Sequence, residues 1–346
     1  MIRLASLTLA LALALAAPAI AQDSEGEVTP LFASDETLEV TITGPVGHIS
    51  RRAQRSTDPY PAQIEVAGEI HTITLAARGK SRRKRENCRF PPLRVAFPQK
   101  PDENSLFHRQ GSIKLVTHCR DRDASEQTIL REYAAYRLYN IVTPESLKVR
   151  LARIRYMDEG ELVTQRLGFF IEDGDDAARR LGRKEIDTSD ISVSWLDQQD
   201  AARYALFQYM IGNTDWSMVL SPEGDDCCHN SRLFGEDKAA RRSLTPVPYD
   251  FDNAGLVDAT YAAPNAQLGT HSVKTRVYRG FCTFNGLVAA EAENLRSLRG
   301  EFEAELTRIP HADARTKSAM ASYLAGFFED IASSESMERK LFRKCR

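Results

Sequence analysis

The hydrophobic period of this chain changes near residue 174, from two residues to three and four. Before the change, LEVTI (Leu38, Val40 and Ile42 on one face), HTITLAA, LRVAF and IKLVT alternate or cluster apolar residues between turn signals, which reads as strands. One helix interrupts them at Ala124–Asn140, where Ile129, Tyr133 and Tyr136 form a stripe that ends before the Pro144 turn. Two more strands, VRLARIRYM and LVTQRLGFFIE, flank the hairpin-like DEGE and lead to a charged turn at Glu172–Asp176. After it, Asp175–Leu181, Asp197–Ile211, Leu287–Thr307, Asp313–Ile331 and Glu335–Lys344 carry apolar residues at helical spacing. The fold class expected is α+β with two lobes: a β-rich lobe with one helix over 37–173, and a mainly helical lobe over 174–346. Residues 22–36 are acidic and polar and read as a flexible or loosely docked leader.

The N-terminus, MIRLASLTLALALALAAPAIAQ, has one early cation, an apolar Leu/Ala run and a small residue on each side of Ile20. This is the pattern of a cleaved export signal over residues 1–21, and it predicts a periplasmic or secreted product without a membrane span. The six cysteines, even in number, then favour disulfides over a metal site. Cys88 with Cys119 is the expected bridge in the β lobe. Cys227 and Cys228 either join each other or split between other partners, and Cys282 and Cys345 stay unassigned. A formal net charge of −2 over 346 residues argues against nucleic acid as a partner.

The segment IGNTDWSMVLSPEGDDCCHN, followed by PVPYDFDNAG, places Asp215, Asn230, Asp250 and Asp252 on loops just after the apolar run ARYALFQYM. Phosphoryl transfer needs one carboxylate to orient the attacking hydroxyl, then an amide oxygen and a second carboxylate to hold a metal against phosphates. Asp215, Asn230 and Asp250 supply those three in chain order. Like-signed carboxylates gathered at one site repel unless a cation joins them, so Mg²⁺ or Mn²⁺ is implied. The plainer role of each Asp is to cap a helix or close a turn. His229, beside Asn230, is a ligand or base if it is functional and a packing residue if it is not.

These motifs resemble the atypical protein-kinase-like families, nearest to the CotH spore-coat kinases. GNTDW is also similar to the catalytic loop of HipA-type kinases. The resemblance implies a two-lobed kinase-like fold, with Asp215 catalytic, Asn230 and Asp250 holding metal, and Asp252 supporting them. A protein-kinase loop sets its Asn five residues after its Asp. Here fifteen separate them, and an inserted SPEGDDCC would supply eight of the ten extra positions. By the same resemblance Lys114 contacts the phosphates of ATP or another nucleotide with Glu132 holding it, Arg78 and Lys80 of RGKS cradle phosphate oxygens, and Glu172 and Asp173 mark the hinge beside the base. The implied partners are a nucleotide and a protein or small-molecule hydroxyl acceptor. Two other classes use the same residues: a catalytically silent envelope scaffold, and a metal-dependent phosphoester hydrolase.

Overall fold

The computed structural model describes residues 26–346, and the export signal expected over 1–21 lies outside them. Strand β1 (Leu38–Thr43) is followed by a short helix α1 (Val46–Arg52), then β2 (Tyr60–Val66), β3 (Glu69–Ala77), β4 (Leu93–Ala96) and β5 (Ser112–Val116). Helix α2 (Asp123–Val142) precedes the long hairpin β6 (Val149–Asp158) and β7 (Glu161–Ile171). These seven strands close into a barrel in the order β1-β2-β3-β4-β5-β7-β6. Parallel pairing of β1 with β6, Val40 opposite Ile154, completes the ring. The strands alternate as the sequence pattern requires, so Ile42, Ile64, Ile73, Val95, Ile113 and Ile154 are fully buried inside.

Strand β2 and helix α1 are additions to the expected elements. Pro61 at the start of AQIEV lowers its strand signal, since proline removes a ladder donor. The turn at Ala67 and Gly68, both at positive φ, nonetheless folds it back on β3 as a tight hairpin. Of the two states expected for the leader, flexible or loosely docked, residues 26–36 take the docked one. Leu31 and Phe32 are buried in the barrel cluster, and Asp35 accepts from Arg137 Nη2 at 2.9 Å, so two apolar side chains and one ion pair dock the segment. At Gly168 on β7 a β-carbon would stand 2.6 Å from the Val116 carbonyl, which is why the β5–β7 approach needs glycine there.

The second lobe begins with α3 (Gly174–Arg180) and β8 (Lys184–Glu185), then α4 (Gln198–Ile211), β9 (Ser231–Gly235) and β10 (Thr245–Pro248). Strands β8, β9 and β10 form a small antiparallel sheet with β10 at an edge, where Pro246 and Pro248 are tolerated. Helices α5 (Asn285–Ser297), α6 (Arg299–Arg308), α7 (Ala314–Asp330) and α8 (Ser334–Lys340) complete it. The run expected as one helix over Leu287–Thr307 breaks at Leu298. The lobes meet along α2, whose Ile129, Tyr133 and Tyr136 stripe is buried against Phe169 and Phe251. The α+β, two-lobed class is the one expected. No helix of the described residues is long and apolar enough to cross a membrane.

Three disulfides are present: Cys88–Cys119 with Cα atoms 4.6 Å apart, Cys282–Cys345 at 5.0 Å, and the adjacent pair Cys227–Cys228. The first is the pairing expected from sequence. Replacing Cys88 and Cys119 together by Ala is expected to cost about 3–4 kcal/mol, because a bridge over a loop of this length restricts the unfolded chain. Chemical denaturation of the variant beside the parent checks it, and an unchanged midpoint would contradict it.

Candidate active site

Helix α4 is capped at its start by Asp197, whose carboxylate accepts from the Asp200 N–H at 3.0 Å, and at its end by Gly212 in the left-handed conformation. A β-carbon at Gly212 would collide with the Tyr323 hydroxyl. The chain leaving this cap carries Asn213, Asp215 and Trp216. Buried Asn213 accepts from the Asp215 N–H at 2.9 Å, and its own carbonyl accepts from Trp216 Nε1 at 2.9 Å. Arg279 lies over the Trp216 ring, 5.0 Å from its centre, and donates to the Trp216 and Thr214 carbonyls. Asp215 therefore sits on a braced loop.

The insertion after Trp216 closes on itself. Ser217 N–H donates to the His229 carbonyl at 2.9 Å, and His229 N–H donates to the Leu220 carbonyl at 3.0 Å. This return brings residues distant in sequence back beside Asp215. Asn230 Nδ2 donates to the Asp215 carbonyl at 2.7 Å and to Asp215 Oδ2 at 3.3 Å. His229 Nε2 lies 2.7 Å from Asp215 Oδ1, and that hydrogen bond, ahead of the opposing effect of burial, holds the imidazole above its ordinary pKa.

Strand β10 delivers the third segment. Phe251 is fully buried between Tyr136 and Phe207, and it pins the two carboxylates on either side. The backbone is not extended here: Asp250 has φ 61°, and its N–H donates to the Tyr136 hydroxyl at 2.9 Å. Asn253 Nδ2 bridges Asp252 Oδ1 at 3.0 Å and Asp215 Oδ2 at 3.1 Å. Asp215, Asn230, Asp250 and Asp252 all line one cleft of about 470 Å³ between the lobes.

The cation beside Glu132 differs from expectation. Glu132 is buried and pairs with Arg82, Nη1 to Oε2 at 3.6 Å, while Arg82 Nη2 donates to the Thr117 carbonyl at 2.6 Å. Burial alone would lower the Arg82 pKa, but Tyr261, Glu132 and Asp252 hold it well above its ordinary value. Burial and the neighbouring Asp250 raise the pKa of Asp252, and burial raises that of Glu132 against the pull of Arg82. Arg82 thus joins the loop after β3 to helix α2 and to the DFD segment. Nothing in RRKR singles it out from its neighbours, because the next three basic side chains have the same chemistry.

Lys114 lines the cleft but does not pair with Glu132. Its Nζ stands 4.6 Å from the centre of the Tyr249 ring, with the Arg232 guanidinium 5.1 Å from the same centre. Burial first, then Arg232 and Arg78, push Lys114 down to about 7. The unfolded chain keeps this lysine protonated to about pH 10. Protonation therefore opposes folding below about 7, and the contribution to stability rises with pH between those limits. Lys114→Met is expected to flatten that rise in denaturation curves taken across pH 6 to 10. The Lys114 side-chain resonance should titrate near 7, and an ordinary lysine titration would contradict the burial argument.

Arg78 and Lys80 reach the cleft rim, where Lys80 Nζ crosses to Asp225 Oδ2 at 2.6 Å. The hinge residues do not enter it. Glu172 is buried against Arg180 at 2.9 Å, its N–H donates to the Lys148 carbonyl at 2.9 Å, and Asp173 caps α3. Asp173, Asp175 and Glu185 bring carboxylate oxygens within 4.8 Å of one another, but the helix cap and the Glu185–Arg232 pair at 3.0 Å account for them.

A hard divalent ion fits the donor set of Asn230, Asp250 and Asp252, since all three offer oxygen and the two carboxylates stand near each other and near Asp215. The base of a nucleotide fits less well: Glu172 and Asp173, the residues expected beside it, do not line the cleft, and the Glu172 N–H is engaged by the Lys148 carbonyl. No family model and no curated protein matches this chain. Among solved structures, it is similar to the proinflammatory kinase CtkA of Helicobacter pylori, with TM-score 0.40 and 8% identity over 72% of this chain and 92% of that one.

Proposed function

We propose that this is an exported protein that performs metal-dependent phosphoryl transfer from a phosphate-rich donor to a hydroxyl on a protein or small molecule. The CotH-type resemblance implies ATP or another nucleotide as the donor. The observation that supports the reading is the Asp215 carboxylate, held by His229, Asn230 and Asn253 in one cleft with Asp250 and Asp252. Asp215 orients the acceptor hydroxyl and draws its proton, while Asn230 and Asn253 fix the carboxylate rotamer. Arg78, Lys80 and Lys114 face the donor phosphates from the β lobe. A divalent ion on Asn230, Asp250 and Asp252 would neutralise charge on the transferring group. Calorimetry with Mg²⁺ and a phosphate donor tests binding, and labelled phosphate recovered on an acceptor rather than in solution separates transfer from hydrolysis.

A silent binding module is the second reading, and one observation favours it. Three side-chain donors already engage the Asp215 carboxylate and occupy lone pairs that a substrate hydroxyl would need. Absence of both metal and donor binding would select it.

A further inference from the structure

The cleft that holds Asp215 and Asp250 is also lined by a group of cations, Arg78, Arg94, Lys114 and Arg232. Arg94 and Lys114 are cross-strand partners on β4 and β5, and Lys114 in turn lies opposite Ile171, the last residue of β7. Arg78 enters from the end of β3 and Arg232 from β9. Among the described residues, the side chains of Arg78 and Arg94 make no hydrogen bond or ion pair, and Lys114 makes only its contact with the Tyr249 ring. Two carboxylates stand nearby: Glu185, paired with Arg232, and Asp173, which caps α3. Asp173 and Glu185 act on Lys114 only at a distance, and neither forms an ion pair with Arg78, Arg94 or Lys114.

An uncharged heteroaromatic base placed there would strip water from the Arg78 and Arg94 guanidinium groups and return no charge, which is unfavourable. It would also find the hinge N–H of Glu172 donated to Lys148. A second run of phosphate oxygens satisfies the same cations.

We propose that the donor site takes a base-free linear polyphosphate, its inner phosphates on Arg78, Arg94, Lys114 and Arg232 and its terminal phosphoryl at the acidic end. This rests on the phosphotransfer reading and specifies its donor. In the transfer, the bond between the terminal phosphorus and its bridging oxygen breaks and a bond from phosphorus to the acceptor oxygen forms. The bridging oxygen keeps its electron pair and leaves on a polyphosphate one unit shorter, while the acceptor proton passes to Asp215.

Calorimetry of the folded protein with Mg²⁺ at fixed ionic strength, using linear tripolyphosphate, ATP and adenosine separately, tests the proposal. Tripolyphosphate is expected to bind at least tenfold more tightly than ATP, and adenosine to give no heat. Arg78→Gln with Arg94→Gln, at side chains that hold no other group, should weaken tripolyphosphate at least tenfold while leaving the melting curve unchanged. An ATP affinity within tenfold of tripolyphosphate or better, or binding of adenosine alone, overturns the polyphosphate assignment and leaves phosphotransfer standing. Failure of both phosphate ligands to bind a protein with a normal melting curve overturns the two together.

Discussion

Asp250→Asn is expected to weaken Mg²⁺-dependent binding of the phosphate donor by about 10²-fold, since it removes a charge that the ion neutralises at a site built from two carboxylates and one amide. Asp215→Asn should leave that binding within a few fold of the parent and lower transfer by about 10²–10⁴-fold, because its role is confined to the acceptor hydroxyl. The split between the two is the informative result. Calorimetry and a transfer assay on the same preparations measure it, and equal loss of donor binding in both variants would remove the division of roles. Hydrogen bonds from Asn253 and Asn230 to Asp215 make a second check available, since an amide at 215 can keep those partners by rotating.

Arg82→Met is expected to destabilise the protein by about 3–5 kcal/mol, the range for removing one member of a buried ion pair. Arg82 is the cation beside Glu132, and its charge also reaches Asp252, both of them buried. Without it both carboxyls are driven further toward the protonated form. A carboxyl whose pKa is raised on folding loses stability as pH climbs from its ordinary range through the raised value. The deficit of the variant should therefore be smallest near pH 5 and grow through neutrality. Urea denaturation at pH 5 and pH 8 measures it, and a deficit independent of pH would place the role of Arg82 in packing rather than charge. Lys in place of Arg82 should restore only part of the loss, because one ammonium cannot span Glu132 and the Thr117 carbonyl as the guanidinium does.

Sequence spacing placed a strand cation and a helix carboxylate at a plausible separation, and both do lie at the cleft. Strand alternation turns Lys114 out of the barrel, between Ile113 and Leu115, whose side chains fill its interior. From there it reaches Tyr249, while the loop after β3 brings Arg82 to Glu132. Which of two nearby cations meets a buried acid depends on the path of a loop held by backbone bonds such as Cys88 N–H to the Lys84 carbonyl at 3.0 Å, and no local pattern encodes that path.

Local patterns alone determined the change from strands to helices near residue 174, the α2 stripe, the Cys88–Cys119 pair and the chain order of Asp215, Asn230 and Asp250. Each depends on side-chain periodicity, cysteine chemistry or residue type, which short windows carry. Tertiary structure decided the closing of the barrel by β1 on β6, the docking of Leu31 and Phe32, the return of His229 and Asn230 to Asp215, and the bridge made by Asn253. Those contacts join residues far apart in the chain, and they form because burying apolar surface and pairing buried polar groups are satisfied only when the whole fold is assembled.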